Sequence, residues 1–186
     1  MCCSKKVITN SNAIIFQNCL QVRHTEYGSA AIRATHSIPP ECDLFYYEVK
    51  IVARGEIKVG FSAKNVSTSA RHTPGWEELS FGYHYDGKKY AESSTGTPYG
   101  STFAEGGDII GCGINLTEAT CFYTKNGKDL GIAFTNLPKE MFYPMVGFWR
   151  KNAEIIVNFG QEPFVYNISL RKQIELQKHQ IMKSSE

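Results

Sequence analysis

Trp149-Arg150-Lys151 sets one indole and two cations in consecutive positions between two apolar runs, 142 to 148 and 153 to 159. A rigid aromatic ring buries much area at small entropic cost and arginine adds directional donors, so the triplet has the chemistry of a recognition loop. Three tyrosines stand at similar breaks in the pattern: Tyr27 in His24-Thr-Glu-Tyr-Gly28, Tyr85 beside Asp86-Gly87, and Tyr99 in Thr97-Pro-Tyr-Gly100. The candidate binding residues are therefore Trp149, Arg150, Lys151, Tyr99, Tyr27 and Tyr85. For Trp149 a core position is the competing reading. Tyr47 and Tyr123 lie in regular runs and are assigned to the core.

Bond-making chemistry is not signalled. Five histidines (His24, His36, His72, His84, His179) stand among eighteen acids, but no nucleophile motif frames any of them. Six cysteines (Cys2, Cys3, Cys19, Cys42, Cys112, Cys121) form no Cys-x-x-Cys and have no matching histidine pair, which argues against a zinc site or a disulfide framework. The expectation is no enzyme, no cofactor and no metal, in a reducing compartment.

A chain of 186 residues that is 42% apolar can bury one sizeable core, so one domain is expected. Twenty Lys and Arg against eighteen Asp and Glu leave a net charge of +2, too weak to make nucleic acid or an acidic membrane the main partner. Met1 to Phe16 has no apolar run of signal-peptide length, and nothing approaches a membrane span. The expected location is the cytoplasm, extending to the nucleus; a secreted location would need a signal peptide that is not seen here. Cys2-Cys3 offers a weak acylation signal, and Asn65-Val-Ser67, Asn115-Leu-Thr117 and Asn167-Ile-Ser169 fit the glycosylation triplet; all are read as unmodified.

The elements that must hold the candidate residues are strands. Runs rich in Val, Ile, Phe and Tyr recur at 13 to 16, 19 to 23, 30 to 34, 44 to 52, 57 to 61, 80 to 85, 88 to 92, 109 to 115, 119 to 124, 129 to 134, 142 to 148 and 153 to 159. In Leu44 to Val52, Tyr47, Val49 and Ile51 share the expected core face, with Tyr46, Glu48 and Lys50 opposite. Asn126-Gly127 between two apolar runs predicts a two-residue type I′ hairpin, flanked by solvated Lys125, Lys128 and Asp129. Asp86-Gly87 predicts a second hairpin by the same logic. Ser62 to Glu78 and Ser93 to Gly107 lack a strand pattern and are candidate binding loops. From Asn167 the pattern turns helical, with Leu170, Ile174 and Ile181 near one stripe. The divisions expected are a flexible N-terminus over 1–9, a β domain over 10–166 and a helical tail over 167–186.

Several blocks, taken in order, resemble a known family. Tyr46-Tyr-Glu-Val-Lys-Ile51, Lys58-Val-Gly-Phe61, Pro74-Gly-Trp76, Ser80-Phe-Gly-Tyr-His84, Gly107-Asp-Ile-Ile-Gly-Cys-Gly113, Phe122-Tyr-Thr-Lys-Asn-Gly127, Tyr143-Pro144 and Asn158-Phe-Gly160 are similar to the signature of a SPRY domain. Within that family the Gly-Tyr-His, Thr-Gly-x-Pro-Tyr-Gly and Phe-Tyr-Thr-Lys-Asn-Gly segments look most like the Ran-binding-protein-M branch, scaffolds associated with a ubiquitin ligase. The resemblance implies an all-β fold, a bent sandwich of two antiparallel sheets with a short C-terminal helix. It also implies a non-catalytic adaptor without a cofactor that binds a protein or short linear peptide through inter-strand loops as a monomeric domain. A stand-alone secreted effector that binds host proteins is the alternative. Trp76 is then either a buried loop anchor or a contact, and Gly111 and Gly113 allow close packing. Asn65 to Thr73 is longer than usual for the family, and Phe148-Trp-Arg-Lys151 replaces a small or glycine-containing turn.

Overall fold

A computed structural model describes residues 7–9, 13–15, 20–67 and 72–184. The proposed flexibility of the first residues and the acylation signal at Cys2-Cys3 fall wholly or partly outside these residues, as does Cys19. The strands are β1 (Val7–Thr9), β2 (Ala13–Ile15), β3 (Gln21–His24), β4 (Ala30–Ala34), β5 (Leu44–Ala53), β6 (Ile57–Ala63) and β7 (Ser80–His84). They continue with β8 (Lys88–Ala91), β9 (Thr97–Pro98), β10 (Ile109–Asn115), β11 (Thr120–Lys125), β12 (Lys128–Phe134), β13 (Phe142–Phe148) and β14 (Glu154–Asn158), followed by one helix, α1 (Ile168–Ser184). Among the described residues they form two antiparallel sheets in the orders β1-β4-β13-β6-β7-β8-β9 and β12-β11-β10-β5-β14-β3-β2. Strands β1 and β9 were not expected from the apolar pattern. No described helix is long and apolar enough to cross a membrane.

The core lies between the sheets, where Tyr47, Val49 and Ile51 of β5 meet Val59 and Phe61 of β6 and Tyr83 of β7. The Tyr47 hydroxyl crosses the gap to donate to the Gly60 carbonyl at 2.7 Å. Much of the outer face of β5 is also buried, contrary to simple alternation: Tyr46 and Glu48 are covered, while Lys50 and Val52 are exposed. The cover comes from the far end of the chain. Tyr46 packs edge-on to Phe164 with ring centroids 5.0 Å apart, and the Glu48 carboxylate accepts the backbone N–H groups of Val165 at 3.1 Å and Tyr166 at 3.0 Å. Gly111 and Gly113 leave room for these rings, since an added Cβ would stand 1.9 Å from the Tyr46 hydroxyl and 2.0 Å from the Phe122 ring.

Helix α1 is capped by Asn167, whose Oδ1 accepts the Leu170 N–H at 3.0 Å. It is fixed to the second sheet by charge rather than by the expected stripe: Arg171 bonds Asp129 and Glu175, and Glu175 accepts from the buried Asn115 amide at 2.9 Å. Leu170, Ile174 and Ile181 are exposed. Asp129 and Lys125, expected in solvent, are structural ties; Lys125 Nζ donates to the Thr102 carbonyl at 2.8 Å.

The turns follow local chemistry. Asn126 and Gly127 have φ of 51° and 79°, as a type I′ pair requires, and join Lys125 to Lys128. The second hairpin forms differently. Only Gly87 takes a positive φ, 82°, and its N–H donates to the His84 carbonyl at 3.0 Å, giving a three-residue loop in which the glycine makes the bulge.

The described parts of both long loops pack against the sandwich. In the first, Thr73 and Pro74 lie buried on the outer face of the first sheet over a glycine track: a Cβ on Gly82 would meet the Pro74 carbonyl oxygen at 2.3 Å, and one on Gly147 would meet Thr73 at 2.9 Å. The second closes one side of the sandwich. Tyr99 donates to the Gly131 carbonyl at 2.6 Å, Lys89 donates to the Ala133 carbonyl at 2.5 Å, and Phe103 is buried.

Candidate functional site

Three connections cross from one sheet to the other at the same end of the sandwich: 25–29 between β3 and β4, 54–56 between β5 and β6, and 149–153 between β13 and β14. Crossing segments cannot join a strand ladder, so their backbone groups pair with one another. Trp149 N–H donates to the Glu56 carbonyl at 3.2 Å, and Asn152 N–H donates to the His24 carbonyl at 2.7 Å. The buried His24 ring donates from Nδ1 to the Arg150 carbonyl at 2.9 Å, and the Arg150 guanidinium reaches the Glu56 carboxylate at 2.6 Å. Asn152 turns the chain with a φ of 65°. The loop that carries Trp149 is thereby fixed at several points.

These ties surround a concavity of about 460 Å³ lined by Tyr27, Glu56, Trp149, Arg150 and Lys151. Tyr27 is 85% exposed and Trp149 45%, unusual for rings so large. Lys151 Nζ stands 5.0 Å from the Tyr27 ring centroid, a cation–π distance that joins two of the crossing segments. The structure thus brings Trp149, Arg150, Lys151 and Tyr27 together.

It places the other two candidates differently. Tyr85 is half-buried beneath this end; burial, and then the Glu56 carboxylate to which it is hydrogen-bonded, push its phenol up. Tyr99 turns inward: its ring packs edge-on to Tyr83 at 5.4 Å, its hydroxyl donates to Gly131 and accepts the Tyr123 N–H at 3.1 Å, and burial pushes its phenol up. It is a brace of the fold. Trp76 is a loop anchor, half-buried with its face on Lys58.

The titratable groups behind the face are perturbed by burial. His84 is pushed down to about 3, against the hydrogen bond that its Nε2 donates to the Pro74 carbonyl at 2.7 Å. Lys58, 3% exposed, is pushed down to about 8. The buried Cys121 thiol is pushed up to about 12 and Cys112 is also raised, so both stay protonated and poor nucleophiles. Among the described residues no three His, Cys, Asp or Glu side chains are grouped to hold a metal ion. His24, Glu56 and Lys58 were missed in the sequence. Lys58 had a faint signal, a lone cation between Ile57 and Val59 in an otherwise apolar strand.

The sequence model of the SPRY domain matches residues 44–162. The chain belongs to the SPRY domain family. SPRY domains are protein-interaction modules that bind proteins or peptides. This one is 47% identical over 161 residues to Ran-binding protein 10 of Danio rerio, covering 82% of this chain and 26% of that protein. It is 33% identical over 157 residues to the Ran-binding protein M homolog of Arabidopsis thaliana, covering 81% of this chain and 32% of the relative. The SPRY chain thus spans about a quarter to a third of the length of these relatives. The crystal structure of a human SPRY domain superposes with a TM-score of 0.70 at 27% identity, covering 82% of this chain and 98% of that one.

Proposed function

We propose that this SPRY domain is a non-catalytic adaptor that captures a partner protein by a short linear segment laid across the end of the sandwich. Trp149 and Tyr27 supply the apolar contact, and Arg150 and Lys151 supply donors. One observation carries the reading: two large exposed rings and two cations border a single concavity on backbone that is tied down from three crossing connections. A face fixed in this way binds with little backbone movement and avoids the cost of ordering loops. The likeness to Ran-binding protein relatives supports a scaffold role. Recruitment of a partner to a ubiquitin ligase is the specific form of that role proposed here. The domain acts as a monomer in the cytoplasm and nucleus, with neither nucleic acid nor membrane as its partner.

The test is affinity capture from cell lysate on wild-type and Trp149→Ala protein, with peptide mapping of what only the wild type retains. A few proteins sharing one short segment, each bound again as a synthetic peptide, are expected. Identical captures by the two proteins would end the proposal.

A further inference from the structure

The chain has two tryptophans, and one buried ammonium group faces both. Strand β6 alternates, so Ile57, Val59 and Phe61 enter the core while Lys58 points to the outer face of the first sheet, between Gly147 of β13 and His84 of β7. Thr73 and Trp76 of the first long loop lie over it. Lys58 Nζ lies 3.7 Å from the Trp76 ring centroid and 5.4 Å from that of Trp149, with the Thr73 hydroxyl at 3.4 Å.

A buried ammonium must recover the hydration it has lost, and one long hydrogen bond to a hydroxyl does little of that. The carboxylates that favour its charge, Glu56 before β6 and Asp86 in the β7–β8 turn, have other partners: Glu56 holds Arg150, and Asp86 accepts the Tyr90 hydroxyl at 2.8 Å. His84, neutral because burial pushes it down to about 3, contributes no charge. The two indole faces supply the remaining stabilisation of the cation.

We propose that Lys58 is a positioning residue for the recognition face: its ammonium, seated on Trp76, holds the Trp149 ring in the orientation offered to a partner and releases it when the proton leaves. The inference rests on the reading of Trp149 as a contact. The backbone at Trp149 is fixed by Glu56, but the side chain keeps two rotatable bonds, and a ring ordered before association saves that ordering at binding. Lysine in water keeps its proton to about pH 10. Burial brings Lys58 down to about 8, so the clasp opens in mildly alkaline solution.

Intrinsic fluorescence tests this without a ligand. In Trp76→Phe protein, whose phenyl ring keeps an aromatic face for the ammonium, Trp149 is the sole indole, and its emission and acrylamide quenching are followed from about pH 6.5 to about 9.5. One transition is expected with a midpoint of about 8, quenching rising severalfold on its alkaline side, while far-ultraviolet circular dichroism stays constant. Adding Lys58→Met gives the alkaline behaviour at every pH. Adding Lys58→Arg, whose guanidinium keeps its proton, gives the acid behaviour throughout. A pH-independent Trp149, or a transition that survives Lys58→Arg, overturns the proposal, and these outcomes decide it even if the methionine variant does not fold. Failure here differs from failure of the adaptor reading, which appears as capture that is indifferent to Trp149→Ala.

Discussion

The guanidinium carbon of Arg171 stands 3.5 Å from the centroid of the Phe122 ring, so a helix outside the sandwich and a strand of its second sheet meet face to face. Phe122 is fully buried, although it lies on the outer side of its sheet. Its cover is a cation that is itself held by Asp129 and Glu175.

Arg171→Ala should therefore expose an aromatic surface and leave two carboxylates without their shared cation. A loss of about 2–4 kcal/mol is expected from breaking so enclosed a pair, measured by urea unfolding. Emission from Trp149, on a different part of the molecule, should not change.

Tyr99→Ala should separate bracing from recognition. Removing a packed ring costs about 3 kcal/mol, and Tyr99→Phe, which loses only the hydroxyl bonds to Gly131 and Tyr123, costs about 1–2 kcal/mol. Both variants, once folded, should still capture partner peptide, whereas Tyr27→Ala should weaken capture with the melting temperature nearly unchanged.

Gly82→Ala should lift the first long loop from the sheet, because the new methyl would sit 2.3 Å from the Pro74 carbonyl oxygen. A destabilisation of about 1–3 kcal/mol is expected from overpacking, seen in thermal unfolding. Trp76 emission should move to longer wavelength as its seat on Lys58 opens.

His84 sets the sign of one pH response. The unfolded chain takes up a proton on this side chain near 6.5, whereas the folded chain resists until about 3, so its stabilising effect is complete above 6.5 and is lost as pH falls toward 3. Melting temperatures between neutral pH and about pH 4 should fall more steeply for wild type than for His84→Gln. Equal slopes would show that the ring takes up its proton without cost in the fold.

The strands and the Asn126-Gly127 hairpin were legible because alternation and turn chemistry are local properties. The outer faces were not, because what covers them arrives from distant sequence. Glu48 looks like a solvent residue until Val165 and Tyr166 are seen to donate to it, and Gly82 looks like a weak point in a strand until Pro74 is found against it. The same holds at the candidate site. Trp149, Arg150, Lys151 and Tyr27 could be picked out by residue type, but no local pattern distinguishes Tyr99, which turns inward, from Tyr27, which does not. Glu56 and His24 matter through backbone crossings that topology alone creates.

Strand β12 is the last of its sheet, and such a strand ordinarily presents peptide groups on which another chain can add itself. Two of its carbonyls, at Gly131 and Ala133, are already occupied by the Tyr99 hydroxyl and the Lys89 ammonium. A neighbouring molecule therefore finds two rungs of that ladder taken, and the domain is guarded against stacking into fibrils when crowded.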